Sequence, residues 1–125
     1  MKAYDTILVI EDDEDIRHMI CDILEDEGYE TVQAANGIEG LAVLRKVQEI
    51  GIIITDLLMP EKEGIETITE IRKDYPGLMI LAISGGGICM PENYLNLAKA
   101  MGANATLSKP FGRRELLNAL ENLGR

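Results

Sequence analysis

The sequence predicts an α/β fold with a doubly wound, five-stranded parallel sheet, and three observations carry that prediction. Strand-like runs at residues 5–10, 30–34, 52–56, 78–83 and 105–108 alternate with helical patterns, which is the signature of successive βαβ units. The third and fourth runs, Ile52-Ile53-Ile54 and Leu78-Met79-Ile80-Leu81-Ala82-Ile83, are continuously apolar, as central strands covered by helices on both faces must be. Charged groups close three of the runs: Glu11-Asp12-Asp13 after the first, Asp56 at the end of the third and Lys109 after the fifth. A parallel sheet sets all such ends along one edge, where doubly wound folds place their ligands.

The elements follow in order. The first strand, Ile7-Leu8-Val9-Ile10, leads into a helix from about Glu14 to Glu27 whose stripe is Ile16, Met19, Ile20, Ile23 and Leu24. Gly28 ends that helix and Asp13 or Glu14 serves its N-terminus. The second strand is weaker and suits a sheet edge. A second helix runs from about Gly37 to Gln48 through Leu41, Val43, Leu44 and Val47, and a third from about Gly64 to Asp74 through Ile65, Ile68 and Ile71. Pro76-Gly77 turns the chain into the fourth strand. A fourth helix is expected near Glu92 to Met101, and a fifth, Arg113 to Leu123, supplies Leu116, Leu117, Leu120 and Leu123. The fifth strand is weak and suits the other edge. Right-handed crossovers with one reversal of winding give strand order 2-1-3-4-5, five helices and a three-layer α/β/α sandwich. The crevice then lies outside the ends of strands one and three, which carry Glu11, Asp12 and Asp56.

A chain of 125 residues fits one domain and can bury roughly two thirds of its unfolded surface. No apolar stretch approaches the ~20 residues that cross a bilayer, and no leader is recognisable, so a cytoplasmic protein without membrane contact is expected. Neither cysteine, Cys21 or Cys89, has metal-ligand spacing, and both read as reduced thiols. A net charge of −10 argues against direct nucleic-acid binding, which rests on cations displacing counterions from phosphates. His18, alone on the first helix, reads as a surface residue.

Taken singly, the charged groups have duller roles: Asp56 as a cap, Ser84 as a strand-end hydroxyl, Lys109 as a solvated lysine, the acidic run as a helix start. Together, at the ends of strands one, three, four and five in that order, they resemble the receiver domain of two-component response regulators, the flavodoxin-like (CheY-like) fold, and the resemblance covers essentially the whole chain. Converging carboxylates repel one another, which a divalent cation relieves; few carboxylates, oxygen ligands and room for a phosphoryl oxygen favour Mg²⁺. The acidic run offers two adjacent pairs, and Ile16-Arg17 places the family's pair at Glu11 and Asp12.

The resemblance implies that Asp12 and Asp56 ligate Mg²⁺, Glu11 assists through water and the backbone carbonyl of Leu58 gives a further oxygen. Asp56 would be the phosphoacceptor, with Lys109 and Ser84 binding the transferred oxygens and Pro110 following a cis bond. It implies a phosphorylated histidine on a sensor histidine kinase or histidine phosphotransfer protein as donor. An unknown downstream protein would be met on the face of the fourth helix, fifth strand and fifth helix, with Tyr94, Lys99, Arg113 and Arg114 as candidate contacts. A single receiver spanning 1–125 without output domain is expected, catalysing only its own aspartyl phosphorylation and dephosphorylation.

The sequence also departs from the family. Thr106 occupies the place of the usual aromatic switch, so no ring can turn into the space a moving Ser84 vacates. The loop containing Gly85-Gly86-Gly87 is longer than usual and conformationally permissive. Leu58 and Gly86 cannot orient an attacking water through their side chains, which predicts slow loss of the phosphoryl group.

Three alternatives are weaker. A phosphate-independent pseudo-receiver would not need Glu11, Asp12, Asp56, Ser84 and Lys109. A phosphatase or phosphotransferase using Asp56 needs a second acid two residues on, where Leu58 stands. A flavin-binding protein would not put an acidic run beside the FMN phosphate.

Overall fold

The computed structural model describes residues 6–47, 49–57, 64–84, 99–100 and 102–123, apart from the side chains of residues 64 and 65. Five strands, β1 (Thr6–Ile10), β2 (Glu30–Ala34), β3 (Ile50–Asp56), β4 (Met79–Ser84) and β5 (Ala105–Ser108), form one sheet in the order β2-β1-β3-β4-β5. Every pairing is parallel. The described helices are α1 (Glu14–Asp26), α2 (Gly37–Lys46), α3 (Gly64–Asp74) and the last helix, here α4 (Arg113–Glu121). Of the helical pattern expected at 92–101, only Lys99 and Ala100 are described, and both are helical.

Continuous apolarity in the central strands fills two cores, because alternate side chains point to opposite faces of a sheet. Leu8 and Ile10 of β1, Ile53 of β3 and Ile80 and Ala82 of β4 pack with Leu41 and Leu44 of α2 and Ile68 and Ile71 of α3. Their neighbours Ile7, Val9, Ile52, Ile54, Leu81 and Ile83 pack on the other side with Ile20, Cys21 and Leu24 of α1 and Leu116 and Leu120 of α4. These two clusters define the three layers. Gly40 lets α2 sit close to β1, since a Cβ there would stand 2.4 Å from Ile10 Cδ1.

The boundaries move for identifiable reasons. Strand β3 starts at Ile50, before the expected 52, because Gly51 is taken up in an irregularity where Thr6 pairs with Ile50 and Ile7 with Ile52. Strand β4 reaches Ser84, whose partner is Ser108. Helix α1 closes with Gly28 at φ 94°, the left-handed conformation glycine tolerates, and α2 ends at Lys46 with Val47 as cap. Met19, expected in the α1 stripe, is 38% exposed; the buried set is Ile20, Cys21 and Leu24, because Cys21 takes the inward position beside Ile20.

One structural feature left no mark in the apolar pattern. Arg72, near the end of α3, donates from Nη1 to the carbonyls of Pro76 and Leu78 at 2.8 and 2.7 Å, and from Nη2 to Gly102 O and Asn104 Oδ1 at 2.7 and 2.8 Å. Asn104 Oδ1 also accepts from Ile80 N at 2.8 Å, so one guanidinium ties α3 to the starts of β4 and β5. Arg72→Ala should lower the urea midpoint, with unchanged slope, by an amount equal to about 2–3 kcal/mol, since several carbonyls lose a charged donor at once. Arg72→Lys should recover little, because an ammonium cannot present the planar fork.

Candidate functional site

The ends of β1, β3, β4 and β5 meet where the sequence puts its charges. Glu11 follows β1 directly and is held by both its backbone groups: its N–H donates to Ala34 O at 3.1 Å and its carbonyl accepts from Arg17 Nη1 at 2.9 Å. Arg17 in turn donates from Nε to Gln33 Oε1 at 2.9 Å, so Arg17 holds the end of β1 against β2. Asp56 closes β3, and the next residue, Leu57, donates its N–H to Ile83 O at 2.9 Å. Lys109 is anchored to β4 by its N–H donating to Ser84 O at 2.9 Å, and the bond to Pro110 is cis.

Carboxylate oxygens of Glu11, Asp12 and Asp56 all come within 4.8 Å of one another. Glu11 and Asp56 are buried, at 0% and 4% exposure, while Asp12 is exposed. The neighbouring Asp13 stands apart as the N-cap of α1, accepting from Ile16 N at 3.1 Å. Of the two adjacent acid pairs in the run, the fold therefore gathers Glu11 and Asp12 and uses Asp13 to start the helix.

Lys109 Nζ stands 2.7 Å from Glu11 Oε1 and 3.3 Å from Asp56 Oδ2. Glu11 Oε2 accepts from Asp13 N at 3.1 Å. Glu11 Oε1 is buried without a well-directed hydrogen-bond donor, so the close lysine compensates its charge without saturating its lone pairs. Burial pushes the Glu11 carboxyl up to about 7, with Lys109 and the Asp13 N–H opposing and Asp56 reinforcing the rise. Burial alone would lower the Lys109 ammonium, but its bond to Glu11 and the charges of Asp56 and Glu11 outweigh that and raise it.

A hard cation fits this set on its own chemistry: three carboxylates, two of them buried, an under-donated Glu11 oxygen and a carboxyl driven toward protonation are the features that an Mg²⁺ ion relieves. Leu58, whose carbonyl the sequence suggests as a fourth ligand, lies outside the described residues, as do Gly85, Gly86, Gly87, Cys89 and Tyr94.

Ser84 is buried at 3% exposure, and its hydroxyl donates to Ser108 Oγ at 3.3 Å. Sequence reasoning missed Ser108; the signal that finds it is register, because β4 and β5 pair Ser84 with Ser108 directly. Thr106 is half-buried opposite Ala82. Of the suggested surface contacts, Lys99 and Arg114 are exposed, while Arg113 is engaged within the chain, pairing with Asp26 at 3.3 Å and Glu27 at 2.6 Å. His18 is an exposed neighbour of Glu14, at 3.9 Å.

The described helices include none long and apolar enough to cross a membrane. A family model of the response regulator receiver domain matches residues 7–121. The chain is 34% identical over 117 residues to a putative NtrX-like response regulator of Rickettsia bellii, covering 92% of this chain and 24% of that protein. It is 35% identical over 113 residues to the CpxR homolog of Haemophilus influenzae, a transcriptional regulatory protein, covering 89% and 46%. The chain thus spans less than half the length of either relative. Among solved structures, the chemotaxis protein CheY4 of Vibrio cholerae superposes with a TM-score of 0.87 at 32% identity, covering 96% of this chain and 98% of that one.

Proposed function

Because the chain belongs to the response regulator receiver domain family, we propose that it works as a phosphorylation-controlled module in which Asp56 accepts the phosphoryl group. The observation that carries this reading is the convergence of Glu11, Asp12, Asp56 and Lys109 at one edge of the sheet. An Asp56 carboxylate oxygen attacks the phosphorus of a phosphohistidine; the O–P bond forms, the N–P bond breaks, and the imidazole nitrogen keeps the electron pair and takes a proton. Lys109 serves as a point charge for the transferred oxygens, and Ser84 offers them one hydroxyl proton. Asp12 and Asp56, with the Leu58 carbonyl and Glu11 through water, are the residues that would hold Mg²⁺. When bound, that ion offsets the negative charge of the carboxylates and of the incoming phosphoryl oxygens.

The donor on this reading is a sensor histidine kinase or a histidine phosphotransfer protein, and the setting is the cytoplasm. The receiving partner is a protein, met on the face that β5 and α4 present. The chain turns over no independent substrate, and its negative charge disfavours direct contact with nucleic acid.

Intact-protein mass after incubation with acetyl phosphate tests the reading. With Mg²⁺ the protein should gain one phosphoryl group, and with EDTA none; a metal-independent gain, or no gain from acetyl phosphate and a phosphohistidine donor alike, removes it in favour of a constitutive binding module. Glu11→Gln should weaken Mg²⁺ binding by about tenfold, the size expected of a group that supports a ligand through water, as measured by calorimetric titration.

A further inference from the structure

The Ser84 hydroxyl has one proton to give, and in this structure it gives it to Ser108 Oγ, 3.3 Å away. It cannot at the same time donate to a phosphoryl oxygen on Asp56. We propose that Ser108 is a positioning residue that holds the Ser84 hydroxyl in the unphosphorylated state and releases it when Asp56 carries a phosphoryl group; this rests on the receiver reading above.

The surroundings make the hold specific and weak. Strands β4 and β5 pair Ser84 with Ser108 and Ala82 with Thr106. Their neighbours Leu81, Ile83, Ala105 and Leu107 pack into the core on the α1 and α4 side, so by alternation Ala82, Ser84, Thr106 and Ser108 share the opposite face. All four are small. The backbone is pinned there by Lys109 N–H donating to Ser84 O at 2.9 Å, which leaves rotation of the two hydroxymethyl groups as the cheap movement.

The partners differ in what they lose on separation. Ser84 is 3% exposed and has little access to water, whereas Ser108 is exposed and solvent can replace its bond. An O–H···O separation of 3.3 Å is long for such a bond, and a neutral pair is worth less than a hydroxyl donated to an anionic oxygen. Phosphorylation therefore trades a weak bond for a strong one, and Ser108 sets how much of the gain is spent. Where Thr106 leaves no ring to turn inward, this hydroxyl exchange between neighbouring strands is the movement that the face can make.

The test is binding of beryllofluoride, a phosphoryl mimic, in the presence of Mg²⁺ to the whole chain. Ser108→Ala removes the resting partner of Ser84 without touching a carboxylate, so beryllofluoride affinity should rise by about two- to tenfold, while Mg²⁺ affinity without beryllofluoride stays put. Ser108→Thr, which keeps the hydroxyl, should return the affinity to the wild-type value. In a Ser84→Ala background, Ser108→Ala should have no effect, the coupling that a purely structural role would not produce. Equal affinity in wild type and Ser108→Ala, or an equal gain in the Ser84→Ala background, overturns the proposal while leaving Asp56 as acceptor. If the wild-type chain binds no beryllofluoride with Mg²⁺, the receiver reading falls and the proposal falls with it.

Discussion

Asp56→Asn is expected to take up no phosphoryl group from acetyl phosphate or from a phosphohistidine donor while keeping its fold. An amide oxygen lacks the charge and the basicity to attack phosphorus and form a stable acyl phosphate, and among the described residues no other acid is placed as Asp56 is. Asp12 is exposed and Glu11 is engaged by Lys109 and Asp13 N. The fold should survive because the swap preserves shape and removes one of three converging negative charges. Intact mass gives the uptake and a urea melt gives the stability; uptake in the variant at the wild-type level would assign the chemistry to another residue.

Lys109→Met should lower uptake from acetyl phosphate by about 10²-fold, the loss expected when a preorganised donor to a developing charge is removed. It should also lower stability, because Glu11 is buried at 0% exposure and Lys109 Nζ stands 2.7 Å from its Oε1. Breaking a buried pair leaves an uncompensated charge; with Glu11 free to take up a proton instead, about 2–3 kcal/mol is expected in metal-free buffer. Millimolar Mg²⁺ should return most of that loss, and should stabilise the variant more than the wild type, since the ion would then be the charge compensating the acids. Equal stabilisation of both proteins by Mg²⁺ would show that lysine and metal do not act on the same carboxylates.

Much of this was legible in the sequence, for physical reasons that can be assigned residue by residue. Ile52, Ile53 and Ile54 must be covered on both sides, which makes β3 central, and the reversal of winding between β1 and β3 then puts its last residue, Asp56, at the crevice. The end of β1 was readable likewise, because Glu11 follows an apolar strand without an intervening turn; β5, with Thr106 and Ser108 among its four residues, gave a weaker signal for Lys109. The acid pair was harder: the run from Glu11 to Asp15 offers several adjacent carboxylates, and only the fold shows Glu11 and Asp12 beside Asp56 while Asp13 caps α1 through Ile16 N. Met19 reads as core by spacing, yet it is 38% exposed, because Cys21 turns inward next to Ile20 and takes up the α1 face.

Interactions between distant segments stayed hidden. Arg72 and Asn104 are polar residues in unrelated stretches of sequence, and only the fold brings the guanidinium within 2.8 Å of Asn104 Oδ1. Ser108 is similar: a serine before a lysine carries no signal until the register of β4 and β5 sets it against Ser84. Side-chain spacing reports what a strand buries, whereas register decides which hydroxyls meet.

The most direct test of the central claim locates the phosphoryl group. The protein is incubated with acetyl phosphate and Mg²⁺, the acyl phosphate is reduced with borohydride, and the digest is sequenced by mass spectrometry. The account predicts homoserine at position 56 and at no other acidic position; reduction at Glu11, Asp12 or Asp13, with Asp56 unchanged, would contradict it.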